Sequence, residues 1–161
     1  MTQDRSQATP WRVLEALAER GETLATAESL TGGLLAARLT DVPGASRSFV
    51  GGVVSYATRV KVSVLDVPAQ VVEQHGVVSE ECASAMAYGV RARLDATWGL
   101  ATTGVAGPDE QEGRPVGTVW IAVAGPDGVE TRLLALDGDR LAIRAATCDE
   151  VMSALDGILA G

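Results

Sequence analysis

The sequence predicts an α/β protein: one three-layer α/β/α domain, residues 1–161, built on a mixed, mostly parallel sheet. Three observations carry that prediction. Short β-rich runs alternate with stretches of helical periodicity along the chain, the pattern that puts helices on both faces of a sheet. Near the C-terminal end, two β-rich runs are separated only by Gly125-Pro126-Asp127-Gly128, a turn signal that makes a hairpin and one antiparallel neighbour. The chain has 161 residues, 47% of them hydrophobic, and no repeat or low-complexity linker divides it, so it suits a single core.

The elements follow in order. Residues 1–9 read as a flexible N-terminus, and Thr9-Pro10 as an N-cap with proline at the first helical position. That helix runs to Arg20 with Trp11, Leu14, Leu17 and Ala18 on one face, and Gly21 ends it. Thr23–Ala27 is a short strand, and Gly32–Thr40 a helix carrying Leu34, Leu35 and Leu39 until Pro43-Gly44 breaks it. Phe49–Tyr56 is β-rich but contains Gly51-Gly52, the mark of a bulge or a close backbone approach. Two short helical pieces, Thr58–Leu65 and Pro68–Gln74, lead to Gly76. Ser79 then caps a firmer helix to Leu94, with Glu80 and Glu81 at its positive end and Cys82, Met86, Val90 and Leu94 inward. Trp98–Thr103 is a strand, Gly104–Gly117 a long loop, and Thr118–Ala124 and Val129–Leu136 the hairpin. A last helix, Asp139–Leu159, turns Leu141, Ala145, Cys148, Met152, Leu155 and Leu159 inward.

Composition removes several functions. Cys82 and Cys148 are the two cysteines and His75 the lone histidine, so there is no disulfide framework and no multi-histidine metal site. The formal charge is −8, with no lysine-arginine run to neutralise phosphates, which excludes direct nucleic-acid binding. The longest uncharged stretch, Ala96–Pro108, is 13 residues, too short to span a membrane. Met1–Pro10 lacks a signal-peptide pattern, so a cytoplasmic protein is expected. One oddity remains: among 13 basic residues, Lys61 is the single lysine. Base composition explains a surplus of arginine but not the survival of one lysine.

In open α/β sheets, ligands bind beyond the carboxyl ends of the strands, and three such ends carry unusual residues. Ala27-Glu28-Ser29-Leu30-Thr31-Gly32-Gly33 is a strand-to-helix turn, where Ser29 is either a nucleophile or a helix cap. Its glycines and the following helix start offer N–H groups to an oxyanion or to a phosphate, and both uses stay open. The second end leads through Ser55-Tyr56 to Lys61. That lysine, flanked by Val60, Val62, Val64 and Leu65, is a general base if burial lowers its pKa and a plain surface lysine otherwise. The third, Ala101-Thr102-Thr103-Gly104-Val105-Ala106-Gly107-Pro108, suits hydrogen bonding to an amide or phosphate, or is a simple turn. His75 reads as a helix-terminal cation.

Together the Ala-Glu-Ser-x-Thr-Gly-Gly turn, Gly52-Val53-Val54-Ser55-Tyr56 with Lys61, His75-Gly76-Val77-Val78-Ser79, Thr103-Gly104-Val105-Ala106-Gly107-Pro108, Pro115-Val116-Gly117-Thr118-Val119 and Gly138-Asp139-Arg140 resemble the CinA C-terminal domain family, in that family's order. The resemblance covers Leu14 to Leu159. It implies nicotinamide-nucleotide amidase activity, in which nicotinamide mononucleotide and water give nicotinate mononucleotide and ammonia. It also implies a homodimer acting on a small nucleotide, with no cofactor and no metal. Carried over residue by residue, it makes Ser29 the nucleophile, Lys61 and Tyr56 its catalytic partners, and Thr31, Gly32, Gly33, Thr103, Gly104 and Arg140 the substrate-binding set. Arg144, one turn beyond Arg140, reads as a solvated helix residue.

Two departures from the family pattern qualify this. A glycine-rich run is replaced by Asp109-Glu110-Gln111-Glu112-Gly113, whose acids would repel a phosphate. The sequence also begins directly at the amidase-like region, so the metal-dependent pyrophosphatase activity of some longer members is expected to be absent. The competing readings are a serine-lysine hydrolase of another small amide and a non-catalytic nucleotide- or partner-binding domain linked to competence or recombination proteins.

Overall fold

The computed structural model describes residues 5–161. Helix α1 (Arg5–Arg20) leads to strand β1 (Leu24–Glu28), then α2 (Leu34–Thr40), a 3-10 turn (Ala45–Arg47) and β2 (Phe49–Val54). The short helices α3 (Thr58–Ser63) and α4 (Ala69–His75) precede the longer α5 (Glu80–Arg93). Strands β3 (Trp98–Gly104), β4 (Thr118–Gly125) and β5 (Gly128–Ala135) follow, and α6 (Arg140–Ala160) closes the chain.

The sheet order is β2-β1-β3-β4-β5. β1 pairs in parallel with both β2 and β3, whereas β4 is antiparallel to both β3 and β5. Four strands therefore point one way and only β4 opposes them. The hairpin was expected to create one antiparallel pairing; β4 makes two, because it is inserted between β3 and β5.

Side-chain alternation along the strands builds two cores. Leu24, Leu100, Ile121 and Val123 face α1, α2 and α6, while Ala25, Ala27, Ala101, Ala122 and Ala124 face α5. The small residues on the second face let α5 lie close to the sheet. The expected irregularity at Gly51-Gly52 is present: the β1–β2 register shifts between Leu24 and Ala25. A Cβ on Gly52 would stand 2.3 Å from Thr26 Oγ1, so only glycine fits against β1 there.

Three details of the predicted elements change. α1 begins at Arg5, with Pro10 inside it, so Thr9 does not cap it and residues 5–9 are helical; the remainder of the expected flexible segment, 1–4, lies outside the described residues. The buried face of α1 is Val13, Leu14 and Leu17, leaving Trp11 55% exposed. In α6 the inward set starts at Ile143, and Leu141 is 70% exposed, because Asp139 caps the helix through Ala142 N–H at 2.9 Å and fixes its phase. Ser79 caps α5 as expected, its Oγ accepting from Cys82 N–H at 3.1 Å.

Candidate active site

β1 is the middle of the three parallel strands, and its pairing continues past its last residue on both sides. Ser29 N–H donates to Thr102 O at 3.0 Å, and Ser55 N–H donates to Glu28 O at 2.8 Å. These bonds carry Ser29 and Ser55 beyond the sheet edge in fixed positions. From Ser55 the chain turns through Ala57 into α3, whose single short run places Lys61 back beneath the Ser55–Tyr56 peptide.

Lys61 is the bulkiest fully buried side chain, 1% exposed. Its Nζ lies 2.8 Å from Ser29 Oγ and donates to Ser55 O at 2.6 Å and Tyr56 O at 3.2 Å. Burial pulls its pKa below the usual lysine range; Cys82 and Glu112 act in the opposite sense. The Cys82 thiol is itself pushed up to about 11 by burial, so it is uncharged at neutral pH and gives Lys61 no counter-charge. Glu112 is the carboxylate that remains, and its oxygens are taken up by Val77 N–H at 3.1 Å and Val78 N–H at 2.8 Å.

Ser29 and Lys61 open onto a cavity of about 450 Å³, a size suited to one small molecule. Tyr56, Thr103, Gly104 and Arg140 also line it, as does the acidic loop through Asp109, Glu110 and Gln111. The Thr103 hydroxyl donates to Val77 O at 2.7 Å, leaving its lone pairs free to accept. Arg140 spans the mouth: Nη1 donates to Gly107 O at 2.5 Å and Nη2 to Tyr56 Oη at 3.1 Å. Tyr56 thus holds the lysine through its backbone carbonyl, while the residue is 61% exposed at the rim and its hydroxyl meets Arg140 rather than Ser29 or Lys61.

Thr31, Gly32 and Gly33 are not brought into the cavity wall. Thr31 is fully buried, its hydroxyl 2.8 Å from Thr102 Oγ1, and Gly32 N–H donates back to Ser29 O at 3.1 Å. The helix start expected to receive an anion already has one. The buried Glu28 carboxylate accepts from Leu35 N–H at 2.8 Å and Ala36 N–H at 3.1 Å. It both consumes those donors and puts negative charge where a phosphate would go. Sequence reasoning missed Glu28 because the α2 cap position is Gly33, which has no side chain to offer. It also misplaced Arg144, which is not a solvated residue but donates to Leu30 O and Thr31 O, both at 2.9 Å. Glu112 was expected only to repel anions; it fastens the acidic loop to the chain before α5.

Fold and site together define an open α/β domain with a buried serine-lysine pair beyond the end of its central parallel strand. The chain belongs to the CinA family: the family model of the CinA C-terminal domain matches residues 7–159. A CinA-like protein of Frankia casuarinae is 60% identical over 144 residues, covering 89% of this chain and 33% of that protein. A putative competence-damage inducible protein of Desulforamulus reducens is 50% identical over 145 residues, 90% of this chain and 35% of its own length. The chain thus spans about a third of the relatives it matches. Among solved structures, a CinA superfamily protein of Klebsiella pneumoniae superposes with a TM-score of 0.94 at 37% identity, covering 98% of this chain and 99% of that one. A competence/damage inducible protein of Agrobacterium tumefaciens gives 0.93 at 31% identity, covering 100% and 99%. No helix among the described residues is long and apolar enough to cross a membrane.

Proposed function

We propose that residues 1–161 act as one amidohydrolase domain, a cytoplasmic and homodimeric enzyme that deamidates nicotinamide mononucleotide to nicotinate mononucleotide and ammonia. The observation that carries this reading is the 2.8 Å approach of Ser29 Oγ to the Nζ of a lysine that is 1% exposed. A neutral amine has two N–H groups and one lone pair. Ser55 O and Tyr56 O can only accept, so they take the two hydrogens and leave the lone pair to the Ser29 hydroxyl. A pure binding domain has no use for a buried amine so arranged.

In this mechanism Lys61 takes the Ser29 proton as Oγ bonds to the carboxamide carbon. The tetrahedral oxyanion collapses, the C–N bond breaks, and Lys61 returns the proton to the departing ammonia. Water, deprotonated by Lys61, attacks the resulting ester; Ser29 leaves with that proton and the carboxylate product is released. Leu30 lines the cavity, and its N–H, which follows directly on Ser29 and has no protein acceptor among the described residues, is the donor assigned to the oxyanion. The substrate phosphate is assigned to Arg140 at the mouth, since Glu28 closes the start of α2 to anions.

Ammonia release from nicotinamide mononucleotide tests the reading. The parent is expected to turn over and Ser29→Ala to fall to background. Turnover that survives Ser29→Ala would remove the nucleophile assignment. A parent that binds the nucleotide without hydrolysing it would leave a binding domain instead.

A further inference from the structure

The turn that carries the nucleophile is fastened from a distance. Arg144, in the second turn of α6, reaches across to β1's exit, its Nε donating to Leu30 O and its Nη2 to Thr31 O, both at 2.9 Å. Leu30 and Thr31 are buried; Thr31 O also accepts from Leu34 N–H at 2.9 Å, so Leu30 O is the carbonyl that depends on Arg144 alone. Gly32 beside them has a φ of 57°, a backbone that favours glycine, and a Cβ there would only touch Nη2 at 3.4 Å. No carboxylate among the described residues pairs with Arg144, in contrast to Arg12 and Arg38. Its protein hydrogen bonds go to two peptide groups.

The effect on the active site follows from the planarity of the peptide, in which C=O and N–H point opposite ways. Ser29 O is held by Gly32 N–H at 3.1 Å, which turns the Leu30 N–H outward from the closed side of the turn. Leu30 O and Thr31 O are held on α6. With these three carbonyls tied back, the Ser29 side chain and the Leu30 N–H cannot rotate away from the cavity together.

We propose that Arg144 is a positioning residue for the reaction, holding the Ser29–Thr31 turn so that Ser29 Oγ stays on Lys61 and the Leu30 N–H stays on the developing oxyanion. The inference rests on the serine-lysine amidase reading and adds to it a residue that touches neither substrate nor base. A loss of about 1 Å in such placement lowers turnover by about 100-fold, and because the substrate's ground-state contacts lie elsewhere, KM is unaffected.

The test compares parent, Arg144→Ala and Arg144→Lys by three measurements: ammonia release as separate kcat and KM, the pH dependence of kcat/KM, and the rate at which a fluorophosphonate labels Ser29. Arg144→Ala is expected to lose about 100-fold in kcat with KM within about 3-fold. The labelling rate should fall in parallel, and the pH midpoint should stay put because Lys61 is untouched. Arg144→Lys, which satisfies one carbonyl, should recover about 10-fold of the loss, and it carries the test if the alanine variant does not fold. A kcat within about 3-fold of the parent in the folded variants overturns the proposal, as does a loss confined to KM. A parent that neither releases ammonia nor labels at Ser29 removes the amidase reading, and this inference with it.

Discussion

The floor and the mouth of the cavity are built by opposite rules. On the floor these polar side chains have fixed protein partners: Lys61 on two carbonyls and Ser29, Glu28 on the first N–H groups of α2, Thr31 on Thr102, Arg144 on the turn that carries Ser29. At the mouth, Tyr56, Arg140 and the Asp109–Gln111 segment are exposed, and Arg140 holds together three chain segments with one guanidinium. On the proposed amidase reading, the contrast separates two tasks. A proton transfer needs atoms held to a fraction of an ångström, whereas admitting and releasing a nucleotide needs side chains that water can replace. Substitutions on the floor should therefore act on turnover or stability, and those at the mouth on affinity.

The largest effect is expected at Lys61. Lys61→Arg keeps the charge but cannot give up its proton, so kcat should fall about 10³-fold or more in the ammonia assay. An arginine variant with appreciable activity would break the division outright. The same residue sets the pH profile of the parent. Burial lowers the Lys61 pKa, so the active neutral amine is lost as pH falls through that lowered value. Activity should rise with pH along a limb whose midpoint lies below the ordinary lysine range, and a midpoint at that ordinary value would argue against a buried base.

Next is Glu28→Gln. An amide offers one accepting oxygen where the carboxylate offers two, and its NH₂ would face Leu35 N–H or Ala36 N–H. A loss of about 1–3 kcal/mol in urea unfolding is expected, and an unchanged midpoint would show that the floor tolerates an open donor. The smallest effects belong to the mouth. Arg140→Ala should raise KM by about 10- to 100-fold with kcat within about 3-fold. Tyr56→Phe, which loses one exposed hydrogen bond but keeps the carbonyl that holds Lys61, should raise KM by only about 2- to 5-fold. A collapse of kcat in Tyr56→Phe would move the phenol into the proton path and blur the comparison.

What the sequence made legible follows the same division by distance. Ser79 before Glu80-Glu81 reads as a cap because a cap is a local event, and its Oγ does accept from Cys82 N–H at 3.1 Å. The mostly parallel sheet follows from the alternation of strands and helices, although its strand order does not, and Lys61 stood out against its arginine background. Helix phase was less legible: Leu141 and Ile143 are two positions apart on nearly opposite faces, and only the Asp139 cap decides between them. Glu28 and Arg144 were illegible for a stronger reason. Their partners are backbone atoms, which carry no residue identity, and those of Arg144 lie 113 and 114 positions away. Nothing in a side-chain pattern marks a carbonyl as taken.

That separation also has a consequence in time. A ribosome delivers Ser29, Lys61 and every strand of the sheet before it delivers α6, the last element of the chain. A nascent chain therefore carries Ser29 and Lys61 with neither of the α6 arginines that brace the turn and span the mouth. Until α6 is made, the sheet face it covers lacks Ile143, Cys148, Val151, Met152 and Leu155, so the core on that side and the brace on the Ser29 turn are completed in one step.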